Sequence, residues 1–249
     1  MAREKIEVVF FDLGNTLIYF NGRESDVMLS SDQALYHQLV DSGLQLDWDP
    51  FFEQFSTRMK TYYQQRDIDL FELTTKKVLE VTLADFGIQD ISKEQIQSAL
   101  NKMYEVSQSY WRLEADAVFT LEKLLGLGCR LGIISNASDA NDVYTLLYKN
   151  QIMNYFETVV VSANTGIRKP HPGIFQVALD QMNVLPYEAM MVGDRLDADI
   201  KGAQRLDMRN TWISRRADPQ SLIRYPKIRP EYSINSLAEL IPVVQRYLS

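Results

Sequence analysis

Short apolar runs, each ending on a polar or acidic position, recur along this chain. The first is IEVVFFD, residues 6–12. CRLGIIS (129–135), TVVVS (158–162) and AMMVGD (189–194) repeat that grammar in the second half. Each run has the length of a strand and a polar exit. Helical stretches follow them, expected at about 120–127, 139–150, 173–182 and 197–206. Strands alternating with helices imply βαβ units and a parallel sheet with helices on both faces. Fully apolar strands suit such a sheet, because neither face meets water. The expected fold class is therefore α/β, a doubly wound, Rossmann-like parallel sheet.

Residues from Met28 to about Trp111 have a different texture, rich in Gln, Lys, Glu and aromatics and poor in strand signals. SSDQALYHQLVDSG reads as a helix stopped by Gly43, and DPFFEQFSTRMKTYYQQRD opens on an acid and a first-turn proline. LFELTTKKVLEVTLADFG (70–87) reads as a helix ending at Gly87. SKEQIQSALNKMYEVSQSYW starts at Ser92, with Gln95 three residues on, the pattern of a capping box. Phe51, Phe52, Phe55, Tyr62 and Tyr63 are expected to pack between these helices. The layout predicts an α-helical domain, 20–113, inserted into an α/β core made of 1–19 and 114–249. Residues 224–232 read as a loop, 232–234 as an edge strand and 236–248 as a terminal helix.

The chain has 249 residues, within reach of one large or two small domains. Its formal net charge of −7 provides no general attraction for nucleic acid or anionic membrane, so neither is an expected partner. The N-terminus mixes both signs of charge before a short apolar run, unlike a signal peptide, and no window is long and apolar enough to span a bilayer. A cytoplasmic location is expected. Cys129 is the single cysteine and sits in an apolar run, which reads as a buried core residue. The oligomeric state is not legible in one sequence.

Ligands of open α/β sheets bind beyond the carboxyl ends of the strands, so the residues that follow each strand carry the chemistry. The first strand is followed by Asp12, Leu13, Gly14, Asn15 and Thr16, and the second by Ser135 and Asn136. Arg168, Lys169 and Pro170 come after the third. Gly193, Asp194, Arg195, Leu196, Asp197, Ala198 and Asp199 come after the fourth. On one rim of one sheet these bring together acids, a hydroxyl, an amide and a lysine. Carboxylates hold Mg²⁺, a lysine and a cation offset phosphoryl charge, and a carboxylate can serve as nucleophile. Asp197 reads as a capping or solvated acid, His171 as a loop residue near the site and His37 as solvent-facing.

FFDLGNTL, IISN, RKPHPGIF and VGDRLDADI, in this order, resemble the four signature motifs of the haloacid dehalogenase-like hydrolases. The helical insert resembles their C1-type cap. The resemblance implies that Asp12 is a nucleophile that forms an aspartyl-phosphate and that Thr16 orients its loop. It implies phosphate binding by Ser135 with Asn136 beside it. Lys169 would steady the nucleophile and the phosphoryl charge. Mg²⁺ would be held by Asp12, Asp194, Asp199 and the backbone carbonyl of Gly14. The substrate implied is a small phosphorylated metabolite, with the cap opening and closing on hinges near 19–22 and 113–115.

One position departs from the family's phosphatases, which carry a second aspartate two residues after the nucleophile, as general acid and base. Here it is Gly14. General acid–base catalysis contributes about 10²–10⁴-fold, so its loss favours good leaving groups. Two rival readings follow. The chain would be a weak or inactive domain that binds a phosphorylated ligand or a protein partner, in which case Gly14→Asp should raise activity. Alternatively it would be a haloacid dehalogenase or phosphonate hydrolase. Retention of Asp194 and Asp199 argues against the metal-free dehalogenase.

Overall fold

The computed structural model describes residues 5–248; Arg3, Glu4 and the other residues of 1–4, and Ser249, lie outside it. Among the described residues, six strands form one parallel sheet in the order β5-β4-β1-β6-β7-β8. They are β1 (Val8–Phe11), β4 (Arg130–Ser135), β5 (Thr158–Val161), β6 (Ala189–Gly193), β7 (Arg209–Ile213) and β8 (Tyr232–Ile234). All four residues of β1 are buried, because helices cover both faces of the sheet. Val9 and Phe11 point into one apolar cluster and Val8 and Phe10 into another, the period-two alternation of a strand. The first cluster takes Leu121 and Leu124 from α5 (Ala117–Gly126) and Val143 and Leu147 from α6 (Ala140–Lys149). After α7 (Ser162–Thr165) comes α8 (Pro172–Met182), whose Phe175 and Leu179 build the second.

Four long helices follow β2 (Ile18–Phe20): α1 (Glu24–Asp41), α2 (Trp48–Asp69), α3 (Thr75–Asp85) and α4 (Lys93–Gln108). They enclose a cluster of their own around Leu35, Phe51, Phe55, Leu79 and Leu100. The capping box forms: Gln95 N donates to Ser92 Oγ at 3.1 Å and Ser92 N donates to Gln95 Oε1 at 3.0 Å. The chain returns through β3 (Trp111–Leu113), which pairs antiparallel with β2. The two crossings, unpredicted as strands, thus form one hydrogen-bonded ribbon, lengthened by Asn21 N to Tyr110 O and Glu114 N to Leu17 O, both 2.9 Å.

Several sequence expectations change. The stretch 70–87 is not one helix. Leu70 is left-handed (φ 62°) and closes α2, and α3 starts only at Thr75, whose predecessor Thr74 caps it through Lys77 N at 3.2 Å. The intervening residues cross to the core instead. Glu72 N donates to Gly166 O and Arg168 N to Leu70 O, each at 2.9 Å. α1 begins earlier than its sequence signal, at Glu24, and α2 begins at Trp48, ahead of its proline. β7 was not expected, because Arg209, Asn210 and Thr211 interrupt its apolar pattern. Asn210 is buried there, its Oδ1 accepting from Glu231 N at 3.0 Å. The segment 197–206 starts as a π-helical turn, Leu196–Ile200, before α9 (Lys201–Gln204). Among the described residues no helix is long and apolar enough to cross a membrane.

Candidate active site

Sheet register dictates where the motif residues meet. Phe11 pairs with Ile133 on one side and Val192 on the other. Asp12, one step on, is level with Ile134 and Gly193, so Ser135 and Asp194 stand one step further along the neighbouring strands. β1 is also where the chain order reverses, the crevice position of doubly wound sheets. Asp12 N donates to Val192 O at 2.9 Å, which fixes the start of its loop.

Lys169 bridges Asp12 and Asp199. Its ammonium lies 2.7 Å from Asp12 Oδ1 and 2.7 Å from Asp199 Oδ1, and donates to the Ile134 carbonyl at 2.5 Å. Its side chain is almost completely buried. Burial by itself would lower its pKa; the carboxylates of Asp12 and Asp199 outweigh that and raise it. The Lys169 backbone is clamped from both directions by one side chain: Asn136 Nδ2 donates to Lys169 O at 3.0 Å, and Lys169 N donates to Asn136 Oδ1 at 2.8 Å. Thr16, fully buried, has its hydroxyl 3.5 Å from Asp12 Oδ2, a long contact. Ser135 is buried at the end of β4.

Asp12, Asp194 and Asp199 each bring a carboxylate oxygen to one place, all within 4.8 Å of one another. Burial first, then repulsion from Asp12 and Asp199, holds the Asp194 carboxyl well above the usual range. Asp199 is raised by its burial and by Asp12, against the pull of Lys169. Three converging carboxylates against one ammonium fit a divalent cation: hard oxygen donors, and excess negative charge in a buried place. The glycine of VGD has a steric reason. A Cβ on Gly193 would stand 2.2 Å from Asp199 Oδ2. Asp199 Oδ2 in turn accepts from Arg195 N at 2.9 Å, across the π-helical turn.

Other candidates stand outside this cluster. Asp197 is ion-paired to Arg195 at 2.7 Å and accepts from the Tyr225 hydroxyl at 3.1 Å. His171 caps α8 through Nδ1, which accepts from Gly173 N at 3.0 Å, and His37 is exposed. Cys129 is buried, its thiol pushed up to about 11 by that burial. Phe51, Phe55 and Tyr62 are buried among the helices of the insert, whereas Tyr63 is exposed toward a cavity.

Two neighbours of this cluster escaped sequence reasoning. Trp111 of β3 reaches back to the Asp12 loop, its Cη2 3.3 Å from where a Gly14 Cβ would be. An indole is therefore packed against the position where the family's phosphatases carry their second aspartate. Glu72 carries the second surprise: its side chain is fully buried and accepts from Arg168, Ser162 Oγ and the Tyr62 hydroxyl. Burial raises its pKa against the pull of Arg168. Arg168, left without a role by the sequence, thus ties the insert to the core beside Lys169. The signal for Glu72 was a lone acid in the LFEL run, masked by the helical reading of 70–87.

The sequence model of the family described as "Haloacid dehalogenase-like hydrolase" matches residues 47–213. The chain belongs to the haloacid dehalogenase-like hydrolases. A glyceraldehyde 3-phosphate phosphatase of Pyrococcus furiosus is 27% identical over 242 residues, covering 97% of this chain and 94% of its own. Among solved structures, a HAD phosphatase from Thermococcus onnurineus superimposes with a TM-score of 0.61 at 24% identity, covering 96% of this chain and 98% of its own. A 2-haloacid dehalogenase from Pseudomonas syringae reaches 0.66 at 22% identity, covering 97% and 99%. At those identities the structural likeness establishes the haloacid dehalogenase-like fold alone.

Proposed function

We propose that this hydrolase is a Mg²⁺-dependent phosphatase that works through an aspartyl-phosphate on Asp12 and acts on a small phosphorylated metabolite. The observation that carries this reading is the convergence of Asp12, Asp194 and Asp199 on one place with Lys169 bound to two of them. The names of similar proteins, including the Pyrococcus furiosus phosphatase, point the same way. Retention of both acids of the fourth motif, Asp194 and Asp199, argues against the metal-free dehalogenase reading.

Lys169 holds Asp12 Oδ1, which leaves Oδ2 as the attacking oxygen. Oδ2 forms the new bond to phosphorus as the bond to the leaving oxygen breaks, and the electron pair departs with that oxygen. Water then attacks the phosphorus and releases inorganic phosphate and free Asp12. The Lys169 ammonium and the Ser135 hydroxyl offset charge on the non-bridging oxygens. Asn136 positions Lys169 through its backbone. Asp12, Asp194, Asp199 and the Gly14 carbonyl would hold Mg²⁺, which would draw charge from the phosphoryl group. With no acid at position 14 and Trp111 packed against it, the leaving group departs unprotonated, so good leaving groups are favoured.

Phosphate release from p-nitrophenyl phosphate tests this for wild type and Asp12→Asn, each with Mg²⁺ and with EDTA. Turnover should fall at least about 10³-fold on losing either the nucleophile or the ion. Folded Asp12→Asn with wild-type turnover would reject the reading.

A further inference from the structure

A cavity of about 620 Å³ lies between the four inserted helices and the ribbon that joins them to the core. Trp111 and Ser138 form its core side. Trp111 also packs against the Asp12 loop, its Cη2 3.3 Å from where a Cβ on Gly14 would be, so one side chain touches both the cavity and that loop. The walls are mostly apolar, from Val27, Phe55, Met59 and Met103. Asp32 of α1 lines the same space. Among the described residues nothing donates a hydrogen bond to its carboxylate or forms an ion pair with it. Lys60 shares the cavity and is exposed to solvent. Burial without a partner pushes the Asp32 carboxyl up to about 7.

We propose that this cavity receives the leaving group of the substrate, an aromatic ring whose far end carries an ammonium group that Asp32 recognises. The proposal rests on the phosphatase reading and deepens it. Two independent features select the ring. A triose would leave most of the space unfilled and its apolar walls uncovered. An acid-free site also needs an oxygen that is stable as an anion. A phenol ionises near 10, an alkanol nearer the 15.7 of water. The ammonium follows from Asp32: a desolvated carboxylate without a partner is costly, and a cation is the group that relieves it most.

The probes are phenyl phosphate, 4-(2-aminoethyl)phenyl phosphate and glycerol 3-phosphate, with Mg²⁺, on wild type and Asp32→Asn. The wild type should show kcat/KM highest for the aminoethyl compound and lowest for glycerol 3-phosphate. Its advantage over phenyl phosphate should be about tenfold, expressed in KM, and should fall to near one in Asp32→Asn. Equal kcat/KM for the two aryl phosphates in the wild type, an advantage kept by Asp32→Asn, or glycerol 3-phosphate as the best substrate would each overturn the proposal. Met59→Trp provides a second variant, checked by its thermal melt. Filling the cavity should raise KM for phenyl phosphate at least fivefold relative to acetyl phosphate, and an unchanged ratio would count against the cavity. Failure of the phosphatase reading looks different: none of the three probes releases phosphate, or Asp12→Asn retains turnover. Calorimetric titration of the same probes then decides the pocket. Tighter binding of the aminoethyl compound, lost in Asp32→Asn, supports it; equal binding rejects it.

Discussion

Restoring the family's aspartate at position 14 looks, from the motif alone, like a simple gain of a general acid. The structure reverses that expectation. An ideal Cβ on Gly14 would lie 3.3 Å from Trp111 Cη2 and 3.6 Å from Cζ3, already a tight fit before a carboxyl group is added. Overpacking of this kind costs about 1–3 kcal/mol. The new acid would also join three carboxylates within 4.8 Å of one another, which adds repulsion. Gly14→Asp should therefore lose about 1–3 kcal/mol of stability in urea titration and gain little on alkyl phosphates. Trp111→Ala makes room, so the double variant should be more stable than the sum of the singles by about 1–3 kcal/mol. It should also raise kcat/KM on alkyl esters by up to about 10²-fold, flattening the dependence on leaving-group pKa. A Gly14→Asp single variant with wild-type stability and full gain on alkyl esters would refute the argument, because the indole would then move aside without cost.

Three further predictions follow from buried groups. Glu72→Ala strips Arg168 of its buried partner and should cost about 3–5 kcal/mol in the thermal or urea transition, far more than an exposed ion pair would. Asn136→Ala should lower kcat while Mg²⁺ affinity, read by titration calorimetry, changes little, because the amide clamps the Lys169 backbone and not the acids. Asp32→Asn should stabilise the ligand-free protein at neutral pH. The folded-state pKa of about 7 lies above the unfolded value of 3.8, so stability falls as pH rises between those values and levels off above them. The charged or titratable groups sharing its cavity are Glu24, Lys60, Tyr63 and Tyr104. The gain in stability should be absent near pH 3 and reach roughly 2–4 kcal/mol by pH 8, and a pH-independent difference in Tm would contradict it.

Much of the core was legible in one dimension, for a physical reason. A strand buried on both faces is a continuous apolar run, and its polar exit marks the rim where ligands bind. Asp12, Ser135 and Asp194 each stand at the exit of such a run, where the register of β1 with β4 and β6 brings them side by side, while Lys169 and Asp199 lie further along the connections that follow and reach the same place through their side chains. β7 was not legible, because its buried Asn210 looks like a loop residue until Glu231 donates to it. Nor was the break at Leu70, since helical spacing continues through a segment whose backbone pairs with Gly166 and Arg168.

By itself, then, the sequence determined the α/β class and the helical insert, which follow from local periodicity, and it marked the acids and lysine of the motifs as candidates through their place after strands and their resemblance to the family's motifs. Tertiary structure decided what those residues touch. It placed Trp111 against Gly14 from 97 residues away in the chain, paired Glu72 with Arg168 across 96, and left Asp32 facing a cavity with no hydrogen-bond or ion-pair partner among the described residues. Contacts of that separation depend on how two independently packed clusters dock, and local patterning carries no trace of it.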